Sequence, residues 1–369
     1  MKYIIGFALS ILCLNATAQD KFELTLIFPQ DFDTRNMWVA YDNGLERKGL
    51  EVSFADGKAT AKGEHFSKYA TVSVGDEREN ILKSRDFWVS GNSEIQFLTD
   101  KRGFLIVDSL FNATNLKLLA KNNGFETTEY ENYTNFSDKY LTDSFSGEFT
   151  DSLRLALDNL IFQLQTKELK LIQESTNNYF SFEHFRRNAS FYALHIAADT
   201  LIKTFRKFPL KFRADTVGQN LSQYLIGLSL KKGSKVPLFS SIDAFSKEHL
   251  SNKGSKKEDI LLVFWASWCK PCIEELPQVK SFINAYQNRQ LKPVFITLDE
   301  DFTKFEEAVN KYELSAFGHI FSDKKIGKQF GINGVPEIYL INENNKVTYR
   351  MSGLNDDNLN QLLTLRPTD

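Results

Sequence analysis

Residues 265–272 read Trp265-Ala266-Ser267-Trp268-Cys269-Lys270-Pro271-Cys272, at the point where a continuously apolar run, 260–265, gives way to a helical pattern. The chain has three cysteines, and the third, Cys13, sits in an apolar leader, so Cys269 and Cys272 are the pair left to the mature chain. A Cys-x-x-Cys spacing serves zinc ribbons, haem attachment and dithiol exchange alike, so the flanking residues must decide. Structural zinc needs four ligands, usually a second Cys or Cys/His pair at set spacing. The five histidines, His65, His184, His195, His249 and His319, are scattered without such spacing. Covalent haem attachment needs a histidine directly after the second cysteine, and position 273 is Ile. The pattern therefore points to a dithiol that exchanges with disulfides.

Working outward, the chain starts Met1-Lys2, runs apolar over 3–14 and reaches Asn15-Ala16-Thr17-Ala18. A basic start, a short apolar core and an A-x-A site predict a secretory signal cleaved near Ala18. The run is too short for a mature membrane anchor. Leu12 before Cys13 argues against lipidation, because lipidation signals resemble small residues there. Over 369 residues, 45 basic side chains face 47 acidic ones, and loss of Lys2 makes the mature chain more negative still. Such a balance leaves no basic stripe of the kind nucleic acid demands. No other apolar stretch approaches spanning length, and the length predicts two or three domains. An exported chain of this size with one cysteine pair does not need it as a staple, so the pair is there for chemistry.

Three periodicities follow one another. Over residues 19–111 the period is two: Phe22, Leu24, Leu26 and Phe28 alternate with their neighbours. Further strands fit 37–41, 50–54, 69–74, 87–89, 94–98 and 104–107, separated by Gly- and Asn-containing turns. This predicts an N-terminal antiparallel β domain of the sandwich kind. Over 112–232 the period becomes helical, with Leu153, Leu157, Leu160, Leu164 and Ile172 on one face and Phe182, Phe185, Ala189 and Tyr192 on another. His184 and His195 read as ordinary helix residues there. A third helix starts at Thr216 with Gln219 completing a capping box. After the linker 231–235, residues 235–369 alternate strands (237–240, 260–265, 293–298, 319–321) with helices (270–288, 302–312, 324–330). A hairpin, 337–341 with 346–351, precedes a last helix, 356–365. That order predicts an α/β module with a mixed central sheet.

The run Phe264-Trp265-Ala266-Ser267-Trp268-Cys269-Lys270-Pro271-Cys272 at the head of a helix, with Gly334-Val335-Pro336-Glu337 before a hairpin, resembles the thioredoxin fold. More narrowly, residues 235–369 resemble the exported TlpA/ResA-like thiol-disulfide oxidoreductases. The two preceding segments look more loosely like the N-terminal region of exported Bacteroidetes-type redox proteins, and no function is carried from that likeness. Peroxiredoxins resemble one another in a threonine three residues before the reactive cysteine, where this chain has Ala266, so a peroxidase is disfavoured.

Cys269 at a helix N-terminus is the expected nucleophile, because unpaired N–H groups and the macrodipole favour its thiolate. Lys270 adds charge next door, and such thiols titrate at about 7 rather than about 8.5. Cys272, one turn on and expected to be buried, would resolve the mixed disulfide. Pro271 suits the first turn, and by resemblance Lys270 and Pro271 tune the potential. The resemblance implies an active-site acid at Glu275, one turn beyond Cys272; the alternative is that Glu274 and Glu275 are first-turn acids complementing the dipole. Val263 stands where thioredoxins resemble one another in a buried aspartate, which makes Glu275 the more necessary. Pro336 matches the cis-proline of the fold, presenting the Val335 backbone to an extended substrate, although the family usually follows it with threonine rather than Glu337. Trp268 and Trp265 are expected at an apolar rim, with core packing the alternative for Trp265. For His319 strand packing is preferred to a metal-ligand role.

Together these predict an exported, periplasmic thiol-disulfide oxidoreductase, with no cofactor beyond a redox-active Cys269–Cys272 disulfide. It would act as a reductant, recharged by a membrane thiol carrier of the DsbD/CcdA type, with disulfide-bearing clients such as apo-cytochrome c implied by the resemblance. The competing reading is a binding or scaffold protein whose redox module only regulates docking.

Overall fold

The computed structural model describes residues 20–30, 32–76, 85–99, 105–107, 128–140, 150–253, 258–286 and 290–352. The leader, its cleavage point and the helix expected at 356–365 lie outside the described residues. The chain forms two compact units, Met1–Arg186 with Arg206–Asn220, and Arg187–Phe205 with Leu221–Asp369. This division runs through the stretch 112–232 read from sequence as one helical segment. A helix joins whichever unit covers its apolar face, and periodicity does not say which that is.

In the first unit, β1 (Asp20–Ile27), β2 (Met37–Asp42), β3 (Arg47–Gly49), β4 (Ser53–Ala55), β5 (Lys58–His65), β6 (Ala70–Asp76), β7 (Arg85–Val89), β8 (Gly91–Thr99) and β9 (Leu105–Val107) form two sheets. Their orders are β4-β5-β1-β8-β9 and β3-β2-β6-β7. Phe22, Leu24 and Leu26 of β1 share one core with Val39, Val72 and Phe87 of the other sheet, so the sheets pack face to face. The expectation of a wholly antiparallel domain is corrected at one place: β1 runs parallel to β8. Strand β8 follows β7 of the opposite sheet, so no hairpin dictates its direction against β1. The sequence reading also misses β5, because its inward residues Ala59 and Ala61 have weak β propensity and blur the alternation. The strand expected at 50–54 is cut back to its end, in β4, while Leu50 and Val52, between β3 and β4, pack on the core.

Helices α1 (Thr128–Tyr140), α2 (Asp151–Glu174) and α3 (Tyr179–Arg187) follow, then α4 (Ala189–Tyr192), α5 (Ala198–Lys207), α6 (Leu210–Arg213) and α7 (Thr216–Leu228). Thr150 caps α2, and the buried stripe of α2 carries Glu168, whose Oε2 lies 3.3 Å from His184 Nε2. The cap of α7 differs from the expected box. Asp215 accepts the Gly218 N–H at 2.7 Å and Gln219 Nε2 turns to the Ala214 carbonyl at 2.6 Å, because a carboxylate one residue earlier is the stronger acceptor.

In the second unit, β12 (Glu258–Trp265), β13 (Gln290–Thr297), β14 (Gly318–Phe321), β15 (Glu337–Ile341) and β16 (Val347–Ser352) form a sheet of order β14-β13-β12-β15-β16. A two-stranded sheet, β10 (Ser240–Ile242) with β11 (His249–Ser251), precedes it, and α8 (Lys270–Ala285), α9 (Phe302–Lys311) and α10 (Lys324–Gln329) complete the alternation. The strand expected at 237–240 starts only at Ser240. Pro237 has no N–H to donate, and Asn252 instead ties 237–239 by accepting from Phe239 N and donating to Pro237 O. Central β12 pairs parallel to β13 and antiparallel to β15. Leu261, Val263 and Trp265 enter one core while Ile260, Leu262 and Phe264 enter another. That two-sided burial is why the strand reads as an unbroken apolar run.

Candidate active site

The site sits at the C-terminal end of β12. Residues 266–269 leave the sheet and enter α8 with Cys269 at the N-cap, where its Sγ accepts the Cys272 N–H at 3.2 Å. The two sulfurs are joined at 2.04 Å. Pro271 occupies the first turn, where no hydrogen bond is lost, while Pro277 inside α8 leaves the Ile273 carbonyl without its helical donor. Lys270 projects into solvent with its Nζ 3.8 Å from Glu274.

Exposure separates the flanking residues. Cys269 is 4% exposed and Cys272 3%, so in the oxidised form both sulfurs are nearly covered, although the sequence reading expects an accessible nucleophile. Trp268 is 67% exposed, at the rim where the sequence reading puts it. Trp265 is core, its ring against Phe295 and Phe305.

Opposite the disulfide, the Val335–Pro336 peptide is cis and Val335 O lies 3.6 Å from Cys269 Sγ. On the other side, Glu275 is buried on α8 one turn beyond Cys272. Tyr349, in the same apolar cluster as both cysteines, has its hydroxyl pushed up to about 12 by burial, with the Glu275 charge adding to the rise. The structure therefore groups Cys269, Cys272 and the Val335 carbonyl at the helix mouth, with Trp268 exposed next to Cys269 in sequence and Glu275 buried one turn beyond Cys272.

Three further residues, Asp299, Glu337 and Arg350, brace the segments around the site. Asp299, just past β13, accepts the Ser267 N–H at 2.9 Å and the Ser267 hydroxyl at 2.7 Å, pinning the loop before Cys269. A carboxylate at the C-terminal end of a parallel strand beside the motif was a usable signal for it. Glu337, where the family usually has threonine, is buried and receives Arg350 Nε at 2.6 Å. Arg350 Nη1 also donates to the Leu228 and Leu230 carbonyls at 3.0 and 2.7 Å. The pair is diagonal across the β15–β16 hairpin, a register the sequence alone did not disclose. His319 is buried among Phe245, Phe295 and Phe305, its Nε2 2.9 Å from Leu314 O, and burial holds its imidazole below the usual range. Among the described residues no three His, Cys, Asp or Glu side chains are grouped so as to hold a metal ion.

A family model described as thioredoxin-like matches residues 258–347. The thiol-disulfide oxidoreductase ResA of Bacillus thuringiensis is 28% identical over 151 residues, 40% of this chain and 87% of the relative. The sporulation thiol-disulfide oxidoreductase A of Bacillus subtilis is 30% identical over 128 residues, 32% of this chain and 72% of the relative. Among solved structures, the thioredoxin domain of a thiol-disulfide oxidoreductase from Bacteroides vulgatus matches with 23% identity and a TM-score of 0.33, covering 37% of this chain and 97% of that one.

Proposed function

The chain belongs to the TlpA/ResA-like thiol-disulfide oxidoreductases of the thioredoxin superfamily, and from that premise we propose that it is an exported reductant of protein disulfides working through Cys269 and Cys272. The observation that carries the reading is the bonded pair at the mouth of α8, with Cys269 as N-cap and Val335 O beside its sulfur.

In the reduced protein the Cys269 thiolate attacks one sulfur of a client disulfide. A Cys269–client bond forms, the client S–S bond breaks, and the other client sulfur leaves as a thiolate that takes up a proton. Cys272, deprotonated by Glu275, then attacks Cys269 Sγ and expels the second client thiolate. Two electrons have passed to the client, the Cys272 proton held by Glu275 and one proton from solvent complete its two thiols, and the enzyme is left as the disulfide. The helix N-terminus stabilises the attacking and leaving thiolates at position 269. Trp268 and the Val335 backbone receive the client, Pro271 and Lys270 set the potential, and Pro336 shapes the turn facing the sulfurs.

Reduction is preferred to oxidation because Pro271 stands where oxidant relatives often place a histidine. A reductant in an oxidising compartment must be recharged, which implies a membrane thiol carrier of the DsbD/CcdA type; apo-cytochrome c is a client by analogy. Cleavage near Ala18 and a periplasmic location are parts of the same proposal. The relatives bear enzyme names, which favours catalysis over a scaffold with a regulatory module.

Insulin reduction by the full chain, with Cys269→Ser as control, tests the reading. The wild type should turn over and the variant should not; equal, negligible turnover overturns it. Cys272→Ser should strand clients as mixed disulfides on Cys269. A reduction potential near about −270 mV supports the reductant role and one near about −120 mV reverses it.

A further inference from the structure

A pocket of about 460 Å³ opens within the second unit beside the Val335–Pro336 turn. It lies in the size range of ligand sites, and no step of the exchange uses it. One wall is the loop leading into β15. The facing wall comes from the link between α4 and α5, where Ala193, Leu194, Ile196 and Ala197 line the space. That link lies outside the residues matched by the thioredoxin-like model.

The two walls are built together. Asn333 Nδ2 donates to Ser190 O at 2.9 Å, and Asn333 Oδ1 accepts from the Tyr224 hydroxyl at 3.2 Å. Backbones meet directly at two glycines: a Cβ on Gly331 would lie 2.1 Å from Leu228 N, and one on Gly227 would lie 2.3 Å from Gly331 N. The charged lining is internally matched, because Glu337 faces Arg350 at 2.6 Å and Arg350 also serves two carbonyls. A charged guest would find no counter-charge in such a space, whereas an apolar one loses nothing on entry. One residue joins the pocket to the reacting atom, since Val335 lines it and presents its carbonyl 3.6 Å from Cys269 Sγ.

We propose that this pocket receives an aliphatic side chain of an extended client segment, located within two residues of the client cysteine that meets Cys269. The inference rests on the reading that clients approach beside Val335. An extended chain rises about 3.3 Å per residue, so a side chain one or two positions from the cysteine reaches the space behind Val335. The α4–α5 link thereby gives this chain a selectivity element of its own, favouring disulfides flanked by Leu, Ile or Val over those flanked by acidic residues.

The test uses the full chain and redox-inert hexapeptides in which serine replaces the cysteine. Leu is placed at each of the four flanking positions in turn, with a matched Glu set. Calorimetry should show at least one Leu peptide binding about tenfold more tightly than its Glu counterpart. Ala197→Trp, at an exposed position, should fill the space and abolish the preference, and Leu194→Glu, at a position 57% exposed, should do the same by adding charge. Turnover of a small aromatic disulfide should stay within about twofold in both variants, since such a substrate does not need the pocket. Absence of any Leu preference in the wild type, or its survival in both folded variants, overturns the proposal. If the wild type fails to turn over the small disulfide, the redox reading fails instead, and the calorimetry still decides the pocket.

Discussion

At the scale of single residues, the proposed chemistry divides between Cys269 at the helix mouth and Glu275 one turn beyond Cys272. In that proposal the first turn of α8 favours the Cys269 thiolate, and Glu275, 8% exposed, takes the proton of Cys272. If Glu275 takes that proton, Glu275→Gln should slow resolution of the mixed disulfide by about 10²-fold, the lower end of general-base effects. The initial attack by Cys269 should be little changed. Stopped-flow measurement of the two steps separates them, and equal slowing of both would reduce Glu275 to a packing role. The motif and the one-turn spacing of Glu275 could be read directly from the sequence because both are local, whereas the acid role of Glu275 came from the resemblance. Asp299 left only its place after an apolar strand as a signal, because its partner Ser267 is 32 positions away in sequence.

At the scale of elements, β15 and β16 are joined by a buried ion pair where the family pattern suggests an uncharged residue. Glu337 and Arg350 side chains are 3% and 18% exposed, so removing one partner leaves a charge in an apolar setting. Arg350→Met should destabilise the second unit by about 3–5 kcal/mol. The double variant Arg350→Met with Glu337→Gln should recover much of that loss, as removing both charges removes the penalty. Urea denaturation of the four proteins forms a double-mutant cycle, and additive losses would show that the pair is not coupled. The hairpin itself was legible from its turn and alternation, as was β12 from its apolar run. Strand β5 was not, because alanines supply its inward face, and the parallel direction of β8 was not, because direction is a property of the crossover.

At the scale of the whole molecule, buried Tyr339 and Tyr349 and half-buried Tyr179 and Tyr224 place phenols where ionisation is costly. Burial pushes Tyr349 up to about 12, and it raises Tyr179, Tyr224 and Tyr339 still further; nearby Glu183 and Glu337 add to Tyr179 and Tyr339 respectively. An unfolded tyrosine ionises near about 10. A raised folded value means that the native state retains protons the unfolded chain releases. The stabilisation is thus intact below about pH 10 and is lost as pH climbs through the folded values. Stability against unfolding should accordingly fall steeply between about pH 10 and pH 12, and Tyr349→Phe should shallow that slope. Absorbance at alkaline pH should show these four phenols ionising only on unfolding, so that the native chain at about pH 10 to 11 develops less phenolate than the unfolded chain; equal phenolate in the two states would contradict it.

What the sequence determined by itself was the cysteine pair at its strand-to-helix junction and the thioredoxin-like module that carries it, because a Cys-x-x-Cys and an apolar strand before it are patterns of near neighbours. Only the tertiary structure decided what surrounds that centre: Asp299 on the Ser267 loop, Arg350 on Glu337, and the α4–α5 link held to the Val335 turn through Asn333 and Ser190, 143 positions apart. Those contacts depend on which faces are buried together, and burial is settled by the packing of distant segments rather than by the identity of adjacent residues.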